Sequence, residues 1–265
     1  MLSKNRIKYI NSLGVNKYRK KYGSFIVEGH KMVVESFRSS YKVEQIYALT
    51  EWIQEFGEEI PSQVEVNEVS IQEMKKISEL SSASPVLAVL TGIEEQLEIS
   101  NAANHLILVL DDIRDPGNLG TIIRTADWFG ITNIVCSIQS VDCFNPKVVQ
   151  STMGSIFRVN VFYVDLAEYF NSLEPQIPVY GSFLDGENML ETNLSESGVI
   201  VIGNEARGIS VELEKFVTKK ILIPSFSNFE GAANSSPESL NASIATSIVC
   251  FEFRRRMNNK KCEVK

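Results

Sequence analysis

The chain is poor in the residues on which metal centres and nucleophilic triads are built. Its 265 residues include two histidines, His30 and His105, and four cysteines, Cys136, Cys143, Cys250 and Cys262. No Cys-x-x-Cys spacing occurs and no histidine lies close in sequence to a cysteine, so a zinc site, which needs clustered ligands, is not expected. Neither histidine sits in a recognisable nucleophile setting, which disfavours a Ser-His-Asp triad. His105 opens an apolar strand and reads as an edge residue. No apolar run approaches the roughly 20 residues of a membrane span. The opening residues Met1-Leu2-Ser3-Lys4-Asn5-Arg6 lead into a polar stretch without the apolar core of a secretion signal, so a cytoplasmic protein is expected. Also missing are Gly-x-Gly-x-x-Gly after a strand and Gly-x-x-x-x-Gly-Lys-Ser/Thr. A conventional dinucleotide or ATP cradle is therefore disfavoured, whereas an adenosine held by backbone groups remains open.

What is present describes an ordinary globular chain, 44% hydrophobic and 22% charged, long enough for two domains. Its net charge of −7 is unevenly spread. Residues 1–42 carry ten Lys and Arg against Glu28 and Glu35, a balance of +8 that leaves −15 for the remainder. A basic end on an acidic body suits either a nucleic-acid-facing surface or a solvated basic helix. Lys17, Arg19, Lys20 and Lys21 are the candidate RNA contacts. Tyr9, Tyr18, Tyr22 and Phe25 lie among these charges and could stack on bases.

Hydrophobic periodicity predicts a small α/β layer over residues 1–95. Basic helices at 5–11 and 16–22 precede a strand at 24–27 and a helix to about Phe37. Strands follow at 43–49, 64–66 and 85–90, with Ser70-Ile71-Gln72-Glu73 resembling a capping box. The polar, acidic residues 91–104 suit a linker. Beyond it, over 103–265, near-continuous apolar strands at 106–110, 133–136, 159–164, 178–182, 199–202 and 220–223 alternate with helical segments. That pattern implies a parallel sheet covered on both faces. A long closing helix over 238–257 carries Leu240, Ile244, Ile248 and Phe251 down one face.

Three groups of polar residues fall where strands give out, the edge at which open α/β sheets bind ligands. In the first, Asp111–Gly120, Pro116 and Gly117 shape a turn and Asn118 is a favoured helix N-cap. Arg124, two turns on, offers a fork for a phosphate or carboxylate, or alternatively pairs with Asp112 or Asp127. In the second, Gly203-Asn204-Glu205-Ala206-Arg207-Gly208 follows a strand. Gly203 permits close backbone approach, and Glu205 is a candidate cap for a helix near Ser210. In the third, Ile223-Pro224 ends a strand and Ser239-Leu240-Asn241 begins the last helix, where Ser239 and Asn241 are again plausible caps.

Together these loops resemble the three motifs of the SpoU (TrmH) family of RNA ribose 2′-O-methyltransferases in the SPOUT superfamily. Asn118-x5-Arg124-Thr125-Ala126 resembles the first motif, and Val201 through Ser210 the second. Ile223-Pro224 with Ser239-Leu240-Asn241-Ala242-Ser243-Ile244-Ala245 resembles the third. The N-terminal stretch is similar to the substrate-binding domain often fused to the catalytic one. The resemblance implies a parallel-sheet catalytic domain with a C-terminal trefoil knot, an exception to the rule that chains are unknotted. It further implies S-adenosylmethionine as methyl donor, a homodimer, and an RNA substrate, rRNA in preference to tRNA. By motif, Gly203, Asn204, Ile223, Pro224 and Leu240 would hold the adenosyl group. Asn118, Arg124, Glu205, Ser239 and Asn241 would line the reacting end. Two departures stand out: Ala206 occupies a position often glycine in the family, and the stretch 225–238 is longer than usual. A catalytically silent RNA-binding homologue, and an α/β enzyme acting on a small phosphorylated substrate, are the other readings these features allow.

Overall fold

The computed structural model describes residues 1–92, 99, 101–226 and 239–262, with side chains through Arg256. It divides into two compact units, Met1–Leu97 with Asp142–Arg158, and Glu98–Val141 with Val159–Lys265. Among the described residues no helix is long and apolar enough to cross a membrane.

The first unit begins with α1 (Lys4–Ser12) and α2 (Asn16–Tyr22), then β1 (Ser24–Glu28), α3 (His30–Ser36), β2 (Lys42–Ala48), α4 (Thr50–Phe56), β3 (Glu65–Glu68), α5 (Ile71–Ile77) and β4 (Val86–Thr91). Local chemistry sets the helix ends. The Ser3 hydroxyl accepts the Arg6 amide ahead of α1, and Gly23, at φ +60°, ends α2 in a left-handed conformation that glycine adopts without strain. The expected capping box is present: Ser70 and Glu73 exchange side-chain-to-backbone bonds at the start of α5. The strands order as β1-β4-β2-β3, with β4 antiparallel to both neighbours and β2 parallel to β3. One face buries Ile26, Tyr47, Leu87 and Val89 under Ile10 and Leu13 of the α1 region and Met74 and Ile77 of α5.

The second unit is a six-stranded sheet, every pairing in it parallel. It opens with β5 (Leu106–Leu110), α6 (Pro116–Trp128) and β6 (Asn133–Ser137). The chain next gives α7 (Pro146–Thr152) to the first unit, where Phe144 packs on Phe25 at 4.6 Å between ring centroids. It resumes with β7 (Asn160–Val164), α8 (Leu166–Ser172), β8 (Val179–Asn188), β9 (Gly198–Ile202), α9 (Val211–Glu214), β10 (Lys219–Leu222) and α10 (Ala242–Cys262). The order is β10-β8-β9-β5-β6-β7. Every residue of β5, β6 and β9 is buried, whereas the edge strands β7 and β10 are mostly half-exposed. Strands covered on both faces must be apolar throughout, which is why the expected parallel α/β architecture is the one observed.

Four elements differ from the sequence expectation, the closing helix among them: expected over 238–257, it runs Ala242–Cys262 because Asn241 caps it. β8 runs six residues past the expected Ser182, to Asn188, because beyond Gly181 it pairs with β10 alone. Its side chains there include the exposed Leu184, so no apolar run marks it. A Cβ at Gly186 would meet the Ile221 backbone at 2.6 Å, so the shifted register needs glycine there. The helix expected over 210–217 is four residues long. The helix expected from Asn118 begins at Pro116, capped by Asp115, whose side chain accepts the Asn118 amide. Proline at the first helical position lacks a donor the helix would leave unpaired anyway.

Candidate active site

β5 and β9 are neighbours, so the loops leaving their carboxyl ends lie side by side, and their polar residues tie them together. The Asp111 amide continues the ladder to the Ile202 carbonyl at 2.9 Å, and its carboxylate accepts the Ser210 amide at 2.7 Å. The Asp112 amide donates to the Ser137 hydroxyl at 2.9 Å, and its carbonyl accepts the Asn204 side-chain amide at 2.9 Å. Held at both ends, Asp112 sits at φ +57°, a left-handed conformation that Asp tolerates better than most residues.

The loop after β9 is closed by a pair of backbone bonds between Asn204 and Gly208, of 3.0 and 2.8 Å. The Asn204 side-chain carbonyl accepts the Ala206 and Arg207 amides, so the loop is an Asx turn built on that residue. A Cβ at Gly203 would lie 2.2 Å from the Gly208 carbonyl carbon, which makes glycine obligatory. Ala206 is exposed, and the loop accommodates it. Glu205 does not cap α9, because its carboxylate is engaged elsewhere: it accepts the side-chain amide of Asn118.

That bond is one step of a relay. Asn241 caps α10: its side-chain oxygen accepts the Ser243 and Ile244 amides, at 2.9 and 3.3 Å. With the oxygen so committed, its NH2 points away from the helix and donates to the Asn118 oxygen at 2.9 Å, across 123 residues of sequence. The Asn118 NH2 then faces Glu205, the only orientation that leaves no two donors opposed. Helix α10 runs alongside α6 in the same sense, as the successive pairs Asn118–Asn241, Thr125–Ser247 and Phe129–Arg254 show. The N-termini of both helices thus converge on Asn118, and their dipoles favour the Glu205 carboxylate there. Arg124, further along α6, is exposed, and among the described residues it makes no ion pair, so neither Asp112 nor Asp127 engages it.

A family model described as the SpoU rRNA methylase family matches residues 105–251, and one described as an MRM3-like substrate-binding domain matches 4–88. A 23S rRNA (guanosine(2553)-2′-O)-methyltransferase, RlmP, of Bacillus subtilis is 30% identical over 94% of this chain and 96% of its own. The chain belongs to the SpoU rRNA methylase family. Among solved structures, a TrmH-family protein of Porphyromonas gingivalis matches with a TM-score of 0.84 and 38% identity, covering 97% of this chain and 99% of the other. An AdoMet-bound rRNA methyltransferase of Sinorhizobium meliloti matches with a TM-score of 0.80 and 26% identity, covering 97% and 96%.

Of the motif residues this SpoU chain carries, Asn118, Glu205 and Asn241 are brought together, and Gly203 and Asn204 shape the adjoining loop. Ile223 and Pro224 are half-buried beyond β10, and Ser239 and Leu240 are exposed ahead of α10. Among the described residues Ser239 joins no hydrogen bond of the relay. Most of the long stretch 225–238, from residue 227 on, lies outside the described residues.

In the first unit Lys17, Lys20 and Lys21 are exposed on α2. Tyr18 and Tyr22 stack beside them, with ring planes 15° apart, and the Lys21 ammonium sits 5.2 Å from the Tyr22 ring centre. Arg19 is a correction to the expected RNA surface. It is 2% exposed, donating to the Leu13 carbonyl at 2.7 Å and through Nε and Nη2 to Asp142. A guanidinium so enclosed holds the unit together and offers nothing to a phosphate. Phe25 is likewise buried. Arg207, inside the second motif stretch, and Arg114, ahead of the first, are not singled out by the sequence, yet the fold brings both to Asp112. Both donate to it, Arg114 at 2.7 Å, and that bond holds the Arg114 guanidinium further above its ordinary pKa.

Proposed function

We propose that this chain transfers a methyl group from S-adenosylmethionine to a ribose 2′-hydroxyl of rRNA. The Glu205–Asn118–Asn241 relay carries the reading. It joins one residue from each of the three family motifs at the ligand-binding edge of the sheet, with Arg124 two turns along the same helix. The donor supplies an electrophilic methyl on a cationic sulfur. Attack of the ribose oxygen on that methyl would break its bond to sulfur, leaving the neutral thioether S-adenosylhomocysteine and releasing the hydroxyl proton to solvent. Arg124 does not accept that proton, since a guanidinium stays protonated in proteins. Its part is to stabilise charge developing on the ribose oxygen and to hold a neighbouring phosphate. Asn118, fixed in orientation by Asn241, keeps Glu205 in place.

The residues present suit an adenosyl ligand. Gly203 keeps the loop after β9 tight against its own Gly208 backbone, and the half-buried Ile223 after β10 and the exposed Leu240 ahead of α10 offer apolar cover. The proposal extends to an RNA-binding domain over 1–95 and a catalytic domain over 103–265 closed by a C-terminal trefoil knot. It extends also to a homodimer, supported by the apolar surface that Trp128, Ile244, Ile248 and Phe251 expose.

The test is transfer from methyl-labelled S-adenosylmethionine into unmodified rRNA, followed by digestion to nucleosides. Label in a 2′-O-methyl nucleoside, lost in Arg124→Ala, supports the reading. Donor binding without label from either rRNA or tRNA favours a silent RNA-binding homologue.

A further inference from the structure

We infer that Arg114 and Arg207 form a clamp for an RNA backbone phosphate beside the reacting ribose, with Asp112 as the positioning residue between them. The inference rests on the RNA methyltransferase reading above and names a contact that reading lacks. Arg114 lies in the loop that delivers Asn118, and Arg207 in the loop that delivers Glu205, so the two loops that build the relay also bring these arginines together at Asp112. Each side chain is 64% exposed, yet each head group is fixed: Arg114 Nε donates to Asp112 Oδ1 at 2.7 Å, and Arg207 Nη2 donates to Oδ2. The bridging carboxylate is itself only 14% exposed.

Two cations on one anion leave the triad itself at +1, while the other carboxylates of the two loops, Asp111, Asp115 and Glu205, are each engaged by an amide donor. Among the described residues each guanidinium uses a single N–H group on Asp112, so its remaining donors stay available. Guanidinium forks match phosphate oxygens in a way that a lysine does not. Exposed ion pairs of this kind add little stability. Asp112 nonetheless adopts a left-handed backbone and is anchored by Ser137 and Asn204. Unusual backbone fixed by its surroundings accumulates at functional positions. Here its effect is to aim one carboxylate at two arginines from different loops, so that a phosphate meets donors already in place.

The experiment measures filter retention of an unmodified 23S rRNA transcript over a series of salt concentrations, for wild type, Arg114→Ala, Arg207→Ala and Asp112→Asn. Donor binding is measured alongside to confirm that each variant is folded. Each arginine variant is expected to lose about tenfold in RNA affinity and about one unit of the salt slope. Its KM for RNA should rise by a larger factor than its kcat falls. Asparagine suits a left-handed backbone, so Asp112→Asn retains the loop while removing the carboxylate that aligns the arginines. It raises the net positive charge, so undirected electrostatics would tighten RNA binding, whereas a misaligned clamp weakens it. Tighter binding by Asp112→Asn removes its positioning role, and unchanged slopes for both arginine variants overturn the clamp. Retention needs no turnover. Reduced slopes without any methyl transfer would therefore leave the clamp standing and defeat the transferase reading, while transfer with unchanged slopes would do the reverse.

Discussion

Arg124 and Arg19 show how differently one side-chain type is used in the two units. Arg124 is exposed on α6 and makes no ion pair among the described residues, so its charge is available to a substrate. Arg124→Ala is expected to lower single-turnover methyl transfer by about 100-fold or more, the scale of losing one charge-stabilising group in a transition state. Donor affinity, measured by calorimetry, should be unchanged, and normal transfer by the variant would remove Arg124 from the mechanism. Arg19 is enclosed and pairs with Asp142 at 2.6 Å. Arg19→Ala strands that carboxylate and the Leu13 carbonyl, at an expected cost of about 3 kcal/mol in denaturant unfolding. A charge count cannot separate Arg19 from Lys17, Lys20 and Lys21, because burial is a property of the folded neighbourhood. The motif residues are legible for the opposite reason: their spacing is a chemical signature that survives without coordinates. The roles of Asn118 and Asn241 are legible only in part. Each reads locally as a helix cap, yet Asp115 caps α6, and Asn241 both caps α10 and feeds the relay.

Among the elements, α10 and the parallel strands are legible in kind, but the bounds of the helix, expected at 238–257 and found at Ala242–Cys262, and the orientation of its faces are not. Of the expected stripe, Leu240 precedes the helix and Ile244, Ile248 and Phe251 are exposed on it, while the buried side holds Ala242, Ser243, Thr246, Val249, Cys250 and Phe253. Apolar periodicity marks a helix that covers something; it does not say whether the covered surface belongs to the same chain. Near its end, Glu252 is 3% exposed and accepts bonds from Arg255 and from Arg256. Arg256 in turn donates to the carbonyls of Met189, Leu190 and Thr192, which ties α10 to the segment after β8. The hydrogen bond from Arg255 leads in holding the Glu252 carboxyl below its ordinary pKa of 4.5, with Arg256 acting in the same direction against desolvation. A carboxyl depressed in the folded state stabilises above its unfolded pKa, and that stability is lost as pH falls through the lower, folded value. Thermal melting should therefore show wild type more stable than Glu252→Gln at pH 7, with the difference shrinking below about pH 4.5. A difference independent of pH would mean that packing, not charge, anchors this helix.

At the scale of the whole molecule, two surfaces remain to be occupied, and their chemistry separates the occupants. The first is basic and aromatic, on α2, where exposed Lys17, Lys20 and Lys21 lie beside Tyr18 and Tyr22. Neutralising the three lysines to glutamine is expected to weaken retention of an rRNA transcript and to reduce its salt slope by about one unit for each phosphate no longer neutralised. An unchanged slope would place the RNA surface elsewhere. The second is apolar: Ile244, Ile248 and Phe251 are exposed on α10, and Trp128, at the end of the neighbouring α6, is 85% exposed. Full burial of such side chains stabilises by about 1.5–3 kcal/mol each, enough in combination to drive association. A polyanion gains nothing from this face, and a second copy of the same chain presents the same stripe to it, as a two-fold interface requires. Sedimentation at micromolar concentration should therefore give a dimer for wild type and for the lysine variant. Ile248→Asp buries an unpaired charge in that interface and should sediment as a monomer that still melts cooperatively. A dimer that survives Ile248→Asp would assign its interface to another face, and would leave the apolar stripe of α10 to a different partner.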